Sequence, residues 1–313
     1  VAFRRLSLVE CGWTKKKREA LDDVTQQALI DKESGYHEPE EAVDEGMLSY
    51  KEQLLIAAIK ESENLIVAYS GGVDSSLLAY YARKILKDLA KIVIAVSPSL
   101  ANSELEAARE QAAKFNWNLV EIFTDEVDKA EYQRNDEMRC YFCKSTLFTT
   151  LTQMAERENI KSIAYGANMD DLKDFRPGHK AAREANVLSP LQTAKLGKEE
   201  IRVLARRADL PSWNRPQAAC LSSRFPTFQP VTITSLSQVE KAEDYLRKLG
   251  YKQVRVRHHD ALARIEVDKS ELAELLQSSE NYSKIVDEFK RLGYKHITVD
   301  LEGYKQGSAN NLK

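Results

Sequence analysis

Apolar positions along the chain follow two spacings. Nearly unbroken runs at 65–69, 91–96, 118–123 and 162–165 have the length of strands covered on both faces. Between them, apolar residues recur at helical intervals: over 48–59 (Leu54, Leu55, Ala58, Ile59), from about 74 to 86, from Asn102 or Ser103 to 115, and over about 143–158. Strands alternating with helices predict right-handed crossovers and a doubly wound parallel α/β sheet. Such sheets take ligands beyond the carboxyl ends of their strands, an edge that here carries Ser70, Ser97 and Gly166.

The pattern breaks in two places. Residues 170–190 are polar with little apolar periodicity and read as a long functional loop, followed by a helix over 198–208. After Pro230 the spacing changes again. A helix over 239–249, a hairpin over 254–267, a helix over 282–292 and a strand over 296–301 predict a smaller α/β unit. The expected boundaries are an extension at 1–46, the nucleotide-binding sheet at 47–229, the smaller unit at 230–306 and a fraying tail at 307–313. The extension has a basic run (Lys15, Lys16, Lys17, Arg18), an acidic stretch at 32–45 and no long apolar face, so it is expected to lack order, with the folded part starting at Met47.

Composition narrows the class. With 313 residues, 43% hydrophobic and 30% charged, the chain can bury a full core. A net charge of −2 gives no overall basic field for nucleic acid. No apolar run is long enough to span a bilayer, and four cysteines are too few for a disulfide scaffold, so a reducing cytoplasm is the expected compartment.

The first strand ends in Ser70-Gly71-Gly72-Val73-Asp74-Ser75-Ser76. Two glycines let the backbone approach a bulky anion, and the helix start beyond them presents unpaired N–H groups and the positive end of its dipole. A Gly-Gly turn with an Asp/Ser helix cap would have the same composition. No Gly-Lys-Ser/Thr follows, so this is no Walker loop, nor is it the Gly-x-Gly-x-x-Gly of dinucleotide folds. Ser-Gly-Gly-Val-Asp-Ser resembles the pyrophosphate loop of the ATP pyrophosphatase superfamily. That resemblance implies ATP cleaved between its α and β phosphates, an adenylated substrate, and Mg²⁺ held with help from Asp74.

Cys140 and Cys143 are three residues apart, so at a helix start both thiolates face one ligand. Cys220 lies far away in sequence. Three cysteines suit an iron–sulfur cluster with one iron left open. Structural zinc usually takes a fourth protein ligand, and a redox dithiol usually sits in a thioredoxin context. Cys143 as a small buried hydrophobe and Cys220 as a loop thiol is the plain alternative.

Taken together, the motifs over about 47–307 resemble the LarE family. They are the loop itself, Asp174-Phe-Arg-Pro-Gly-His-Lys-Ala-Ala-Arg-Glu184, Cys220-Leu-Ser-Ser-Arg-Phe-Pro226 and Val254-Arg-Val-Arg-His-His-Asp-Ala-Leu-Ala-Arg-Ile-Glu266. The resemblance implies sulfur insertion into a pyridinium biscarboxylic acid mononucleotide, on the way to a nickel-pincer nucleotide cofactor, by a homo-oligomer. It names no sulfide donor. Family members with one cysteine at the Cys220 position sacrifice its sulfur; those with three hold a [4Fe–4S] cluster, and this chain has Cys140, Cys143 and Cys220. One departure is Thr227-Phe228, where the family usually has a Tyr-Gly turn.

Arg255 and Arg257 alternate on one predicted strand, so both face one side and together suit a substrate phosphate. Arg224 and Arg176 are further expected anion ligands, with Glu266 orienting an arginine. Two rival readings are a tRNA thiolase, which would need a basic face or an RNA-binding module, and a non-catalytic ATP or redox sensor.

Overall fold

The strand β1 (Leu65–Tyr69) is buried at all five positions. A strand without alternation must be covered on both faces. It lies inside a four-stranded parallel sheet of order β3-β2-β1-β4, with β2 at Ala90–Val96, β3 at Leu119–Phe123 and β4 at Ser162–Tyr165. The chain steps outward from β1 to β3, then returns to lay β4 on the other side of β1. This is the predicted doubly wound topology, with its switch point between β1 and β4. The computed structural model describes residues 43–173, 177–216 and 219–305. Most of the expected extension, Arg176 and the tail lie outside the described residues.

Alternate residues of β1 feed two cores. Leu65, Val67 and Tyr69 pack with α1 (Glu45–Lys60), α2 (Val73–Leu86) and α3 (Asn102–Lys114). Ile66 and Ala68 pack on the opposite face against Phe148, Leu151 and Met154. Those three belong to α5 (Arg139–Glu158), which follows a single turn, α4 (Ala130–Gln133). The helix α1 begins two residues before Met47, and Asp44 caps it by accepting from the Met47 amide at 3.0 Å. The helix α5 begins one turn earlier than its apolar pattern indicates, which places both Cys140 and Cys143 on it.

The stretch expected as a loop over 170–190 contains α6 (Pro177–Glu184) and, from Pro190, the turn α7 (Pro190–Thr193). The helix α6 buries Ala181 and Ala182, tucked under α5. Alanines give a helix its face while adding little to an apolar pattern, so the periodicity is faint. The predicted helix α8 follows at Lys198–Arg207.

Beyond Pro230, α9 (Ile233–Lys248) starts six residues earlier than predicted, with Thr232 accepting from the Ser235 amide at 3.1 Å. It leads into β5 (Val254–His259) and β6 (Leu262–Val267), an antiparallel hairpin. Then come α10 (Leu272–Gln277), absent from the sequence reading, α11 (Ser279–Arg291) and β7 (His296–Val299), which pairs parallel to β6. The helix α9 faces two cores. Ala242 and Leu246 pack with the small sheet, whereas Leu236 and Val239 pack with Tyr132, Leu221 and Phe225 beside the large one. Among the described residues no helix is long and apolar enough to cross a membrane.

Candidate functional site

Three features meet beyond the carboxyl ends of the parallel strands. The first is the loop after β1. Gly71 takes φ +77°, a conformation open to glycine, and Gly72 leads into α2 with no side chain capping the helix start. The leading N–H groups, from Val73 onward, are left for an anion. Ser75 and Ser76 build the loop's frame: both hydroxyls donate to the Gly72 carbonyl, at 3.1 and 2.8 Å. Buried Gln111 donates to Ser76 Oγ at 2.7 Å and to Tyr69 Oη at 3.0 Å. Ser70, at the exposed end of β1, shares a hydroxyl contact of 3.0 Å with Ser75. Gly166 comes so close that a Cβ there would lie 2.6 Å from the Ser75 nitrogen. It shapes the loop by letting the end of β4 approach.

The second feature is Asn168, fully buried at the β1/β4 switch point. Its Nδ2 donates to Asp74 Oδ1 at 3.1 Å. Its Oδ1 accepts from the amides of Asp170 (2.9 Å) and Asp171 (3.2 Å). Asp74 is thereby aimed across the loop. Burial raises its pKa, opposed by the Asn168 hydrogen bond, while Asp171 adds repulsion and Lys198 and Arg202 ease it. A carboxylate in that position gains from a bound cation.

The third feature is the cysteine site. Cys220 is exposed and begins a tight turn, Leu221–Arg224. The Leu221 amide donates to the Ser99 carbonyl at 2.9 Å, which ties this turn to the exit of β2, where Ser97 and Ser99 share a hydroxyl contact of 2.9 Å. Cys140 is exposed and Cys143 half-buried on the first two turns of α5, and Cys143 packs against the core that holds Leu221 and Tyr132. Tyr132 Oη meets Ser222 Oγ in a short hydrogen bond. The three sulfurs share one electrostatic neighbourhood. Burial pushes the Cys143 thiol up to about 12, with Glu126, Cys220 and Cys140 contributing. Cys220 and Cys140 both act on Arg139. Among the described residues no three His, Cys, Asp or Glu side chains are arranged around a single ion.

The arginines face inward. Arg224 is buried, with Nε and Nη2 on Glu243 at 2.8 and 3.0 Å and Nη1 on the carbonyls of Ala219 (2.6 Å) and Cys220 (2.9 Å). Arg257 forms a buried two-pronged pair with Glu266, at 2.9 and 2.8 Å, and its Nη1 donates to the Ser223 carbonyl at 2.9 Å. Glu266 also accepts from Arg264 at 3.2 Å. Arg255, on the same face of β5, donates to the Val254 carbonyl and lies over the Tyr304 ring at 5.2 Å. Burial lowers its pKa, and the nearby charge of Arg224 adds to that.

Asn168, Arg139, Tyr132 and Glu243 escaped the sequence reading. Glu243 left a signal, an acid on the stripe Val239, Ala242, Leu246 of an amphipathic helix. Asn168 left a weaker one, a polar residue just past the end of a buried strand.

Comparison with known proteins bears on this arrangement. The asparagine synthase family model matches residues 54–157, from α1 through the loop to the end of α5. An uncharacterized protein of Synechocystis is 41% identical over 266 residues, covering 85% of this chain and 99% of its own length. The pyridinium-3,5-bisthiocarboxylic acid mononucleotide synthase of Lactiplantibacillus plantarum is 32% identical over 265 residues, 84% of this chain and 95% of that one. An uncharacterized protein of Methanocaldococcus jannaschii is 33% identical over 245 residues, 78% and 92% of the two chains. Likeness over nearly the full length of the synthase, on a sheet carrying the pyrophosphate loop, means that the chain belongs to the LarE family of ATP-dependent sulfur transferases.

Proposed function

We propose that the chain converts the carboxylates of a pyridinium-3,5-biscarboxylic acid mononucleotide to thiocarboxylates, with Cys140, Cys143 and Cys220 as its sulfur site. The observation that carries this is the packing of the Cys220 turn and the Cys-x-x-Cys face of α5 around one core, beside the exit of β2 and within reach of the nucleotide edge. The name of the Lactiplantibacillus relative supplies the substrate class.

A substrate carboxylate oxygen attacks the α-phosphorus of ATP. The bond from that phosphorus to the bridging oxygen breaks, and pyrophosphate leaves against the helix start at Val73 and Asp74. Asp74 is suited to hold Mg²⁺ on the phosphates, because burial and Asp171 leave its charge in need of a cation. A sulfide nucleophile then attacks the acyl carbon, and AMP leaves with the electrons of the broken C–O bond. The product is a thiocarboxylate. Arg255, which lies over the Tyr304 ring, is the arginine proposed to receive the nucleotide's phosphate.

The cysteines here are three thiols, and three suit an iron–sulfur cluster with one iron left open, whereas structural zinc usually takes a fourth protein ligand. Cys140, Cys143 and Cys220 would hold such a cluster, which would supply a place for the sulfide that is transferred.

The test is an anaerobic assay with ATP, Mg²⁺, sulfide and the mononucleotide, followed by mass spectrometry of the products. AMP, pyrophosphate and thiocarboxylate in equal amounts are expected. Asp74→Ala abolishes pyrophosphate release, and Cys220→Ala retains adenylation but makes no thiocarboxylate. Thiocarboxylate formed at the full rate by Cys220→Ala would overturn the cysteine assignment.

A further inference from the structure

Four backbone carbonyls around Cys220 point at arginines. Ala219 and Cys220 accept from Arg224, Ser222 accepts from Arg139 at 2.8 Å, and Ser223 accepts from Arg257 at 2.9 Å. The arginines come from three places: the turn itself, the first residue of α5, and β5. Two are fixed from behind by buried carboxylates. Glu243 on α9 is fully buried and receives Arg224 two-pronged, along with Arg247 at 2.9 Å and the Val256 amide at 3.1 Å. Glu266 on β6 receives Arg257 two-pronged. Arg139 is steadied by Asn135.

A buried ion pair is a poor device for stability alone, because desolvation offsets most of the attraction. What a planar guanidinium with a bidentate partner does provide is a fixed direction for its remaining donors. Here those donors end on the backbone of one turn, whose cysteine side chain is exposed. We infer that Arg224, Arg257 and Arg139, backed by Glu243 and Glu266, are positioning residues that hold the Cys220 turn by its carbonyls and so fix where its thiol stands in the sulfur site. This rests on the reading of Cys220 as part of the sulfur site. It also gives α9 and the small C-terminal sheet a part in sulfur transfer, through Glu243 on the helix and Arg257 and Glu266 on the sheet.

The test compares Glu243→Gln, Arg257→Lys and Arg139→Lys with the wild type in three measurements: substrate-dependent ATP–pyrophosphate exchange, thiocarboxylate formation, and the rate of Cys220 alkylation by iodoacetamide in the cluster-free protein. The three variants lie on different elements, so the loss of one to misfolding leaves the others to decide. Exchange is expected to stay within about twofold while thiocarboxylate formation falls by about tenfold or more, since a small misplacement of a reacting group has effects of that size. The alkylation rate is expected to change in the same variants. Equal losses of exchange and transfer would reduce the clamp to a general structural role, and wild-type transfer in all folded variants would overturn it. Full transfer by Cys220→Ala, with alkylation of Cys220 still altered in the clamp variants, would instead sink the cysteine assignment beneath it.

Discussion

At Gly166 a Cβ would stand 2.6 Å from the Ser75 nitrogen and 2.9 Å from the Asp74 carbonyl carbon, both backbone atoms that cannot swing aside. Gly166→Ala must therefore push β4 away from the nucleotide loop. The expected loss is about 1–3 kcal/mol of stability, the usual range for overpacking, with weaker ATP binding; thermal unfolding and an ATP titration measure both. Phe228 presents the opposite case. It sits at φ +68° and is exposed. A left-handed backbone strains a residue with a Cβ by about 1–2 kcal/mol. Glycine relieves that strain but gains freedom in the unfolded chain. Phe228→Gly is expected to raise stability by about 0.5–1 kcal/mol, the part of that strain left after the entropy term. No gain in denaturant unfolding would show that the ring makes a compensating contact.

At the scale of elements, α9 is the bridge. Its Val239 reaches the core beside Cys220, its Ala242 and Leu246 reach the small sheet, and Glu243 lies between them. Burial opposes the charge of Glu243, but Arg224, Arg255 and Arg247 more than offset it and hold its pKa below the ordinary value of 4.5. A carboxyl group depressed on folding stabilises the protein above its unfolded pKa and loses that contribution as pH falls through the folded value. Glu243→Gln is thus expected to destabilise by about 3–5 kcal/mol near neutrality, the range for breaking a buried pair. The gap from wild type should narrow below about pH 4.5 as Glu243 itself takes up a proton. Urea unfolding at both pH values measures it, and an unchanged gap contradicts the assigned charge. The same helix shows what sequence reasoning reaches. The strands, the nucleotide loop and the i, i+3 cysteines were legible because each is written locally, in periodicity or spacing. The helix α6 was not, because its buried face is only Ala181 and Ala182. Nor were the partners of Arg224 and Arg257, since no local pattern tells an arginine facing substrate from one facing Glu243 or Glu266.

At the scale of the molecule, the parallel sheet sets the nucleotide loop at one edge, and the Cys220 turn is drawn to that edge by Ser99, Tyr132 and Arg139. Cys143 and the Cys220 turn therefore pack on one core beside that edge, although they lie far apart along the chain. The central claim is that the three cysteines act together as one iron–sulfur site serving an ATP-using fold. The measurement that tests it most directly is the iron and acid-labile sulfide content of protein purified without oxygen, for the wild type and for Cys140→Ala, Cys143→Ala and Cys220→Ala. The account predicts about four irons per wild-type chain, as a [4Fe–4S] cluster requires, with the cluster lost or much depleted in each variant. A wild type without iron after anaerobic purification and reconstitution, or a Cys220→Ala variant that keeps its full complement, would contradict it.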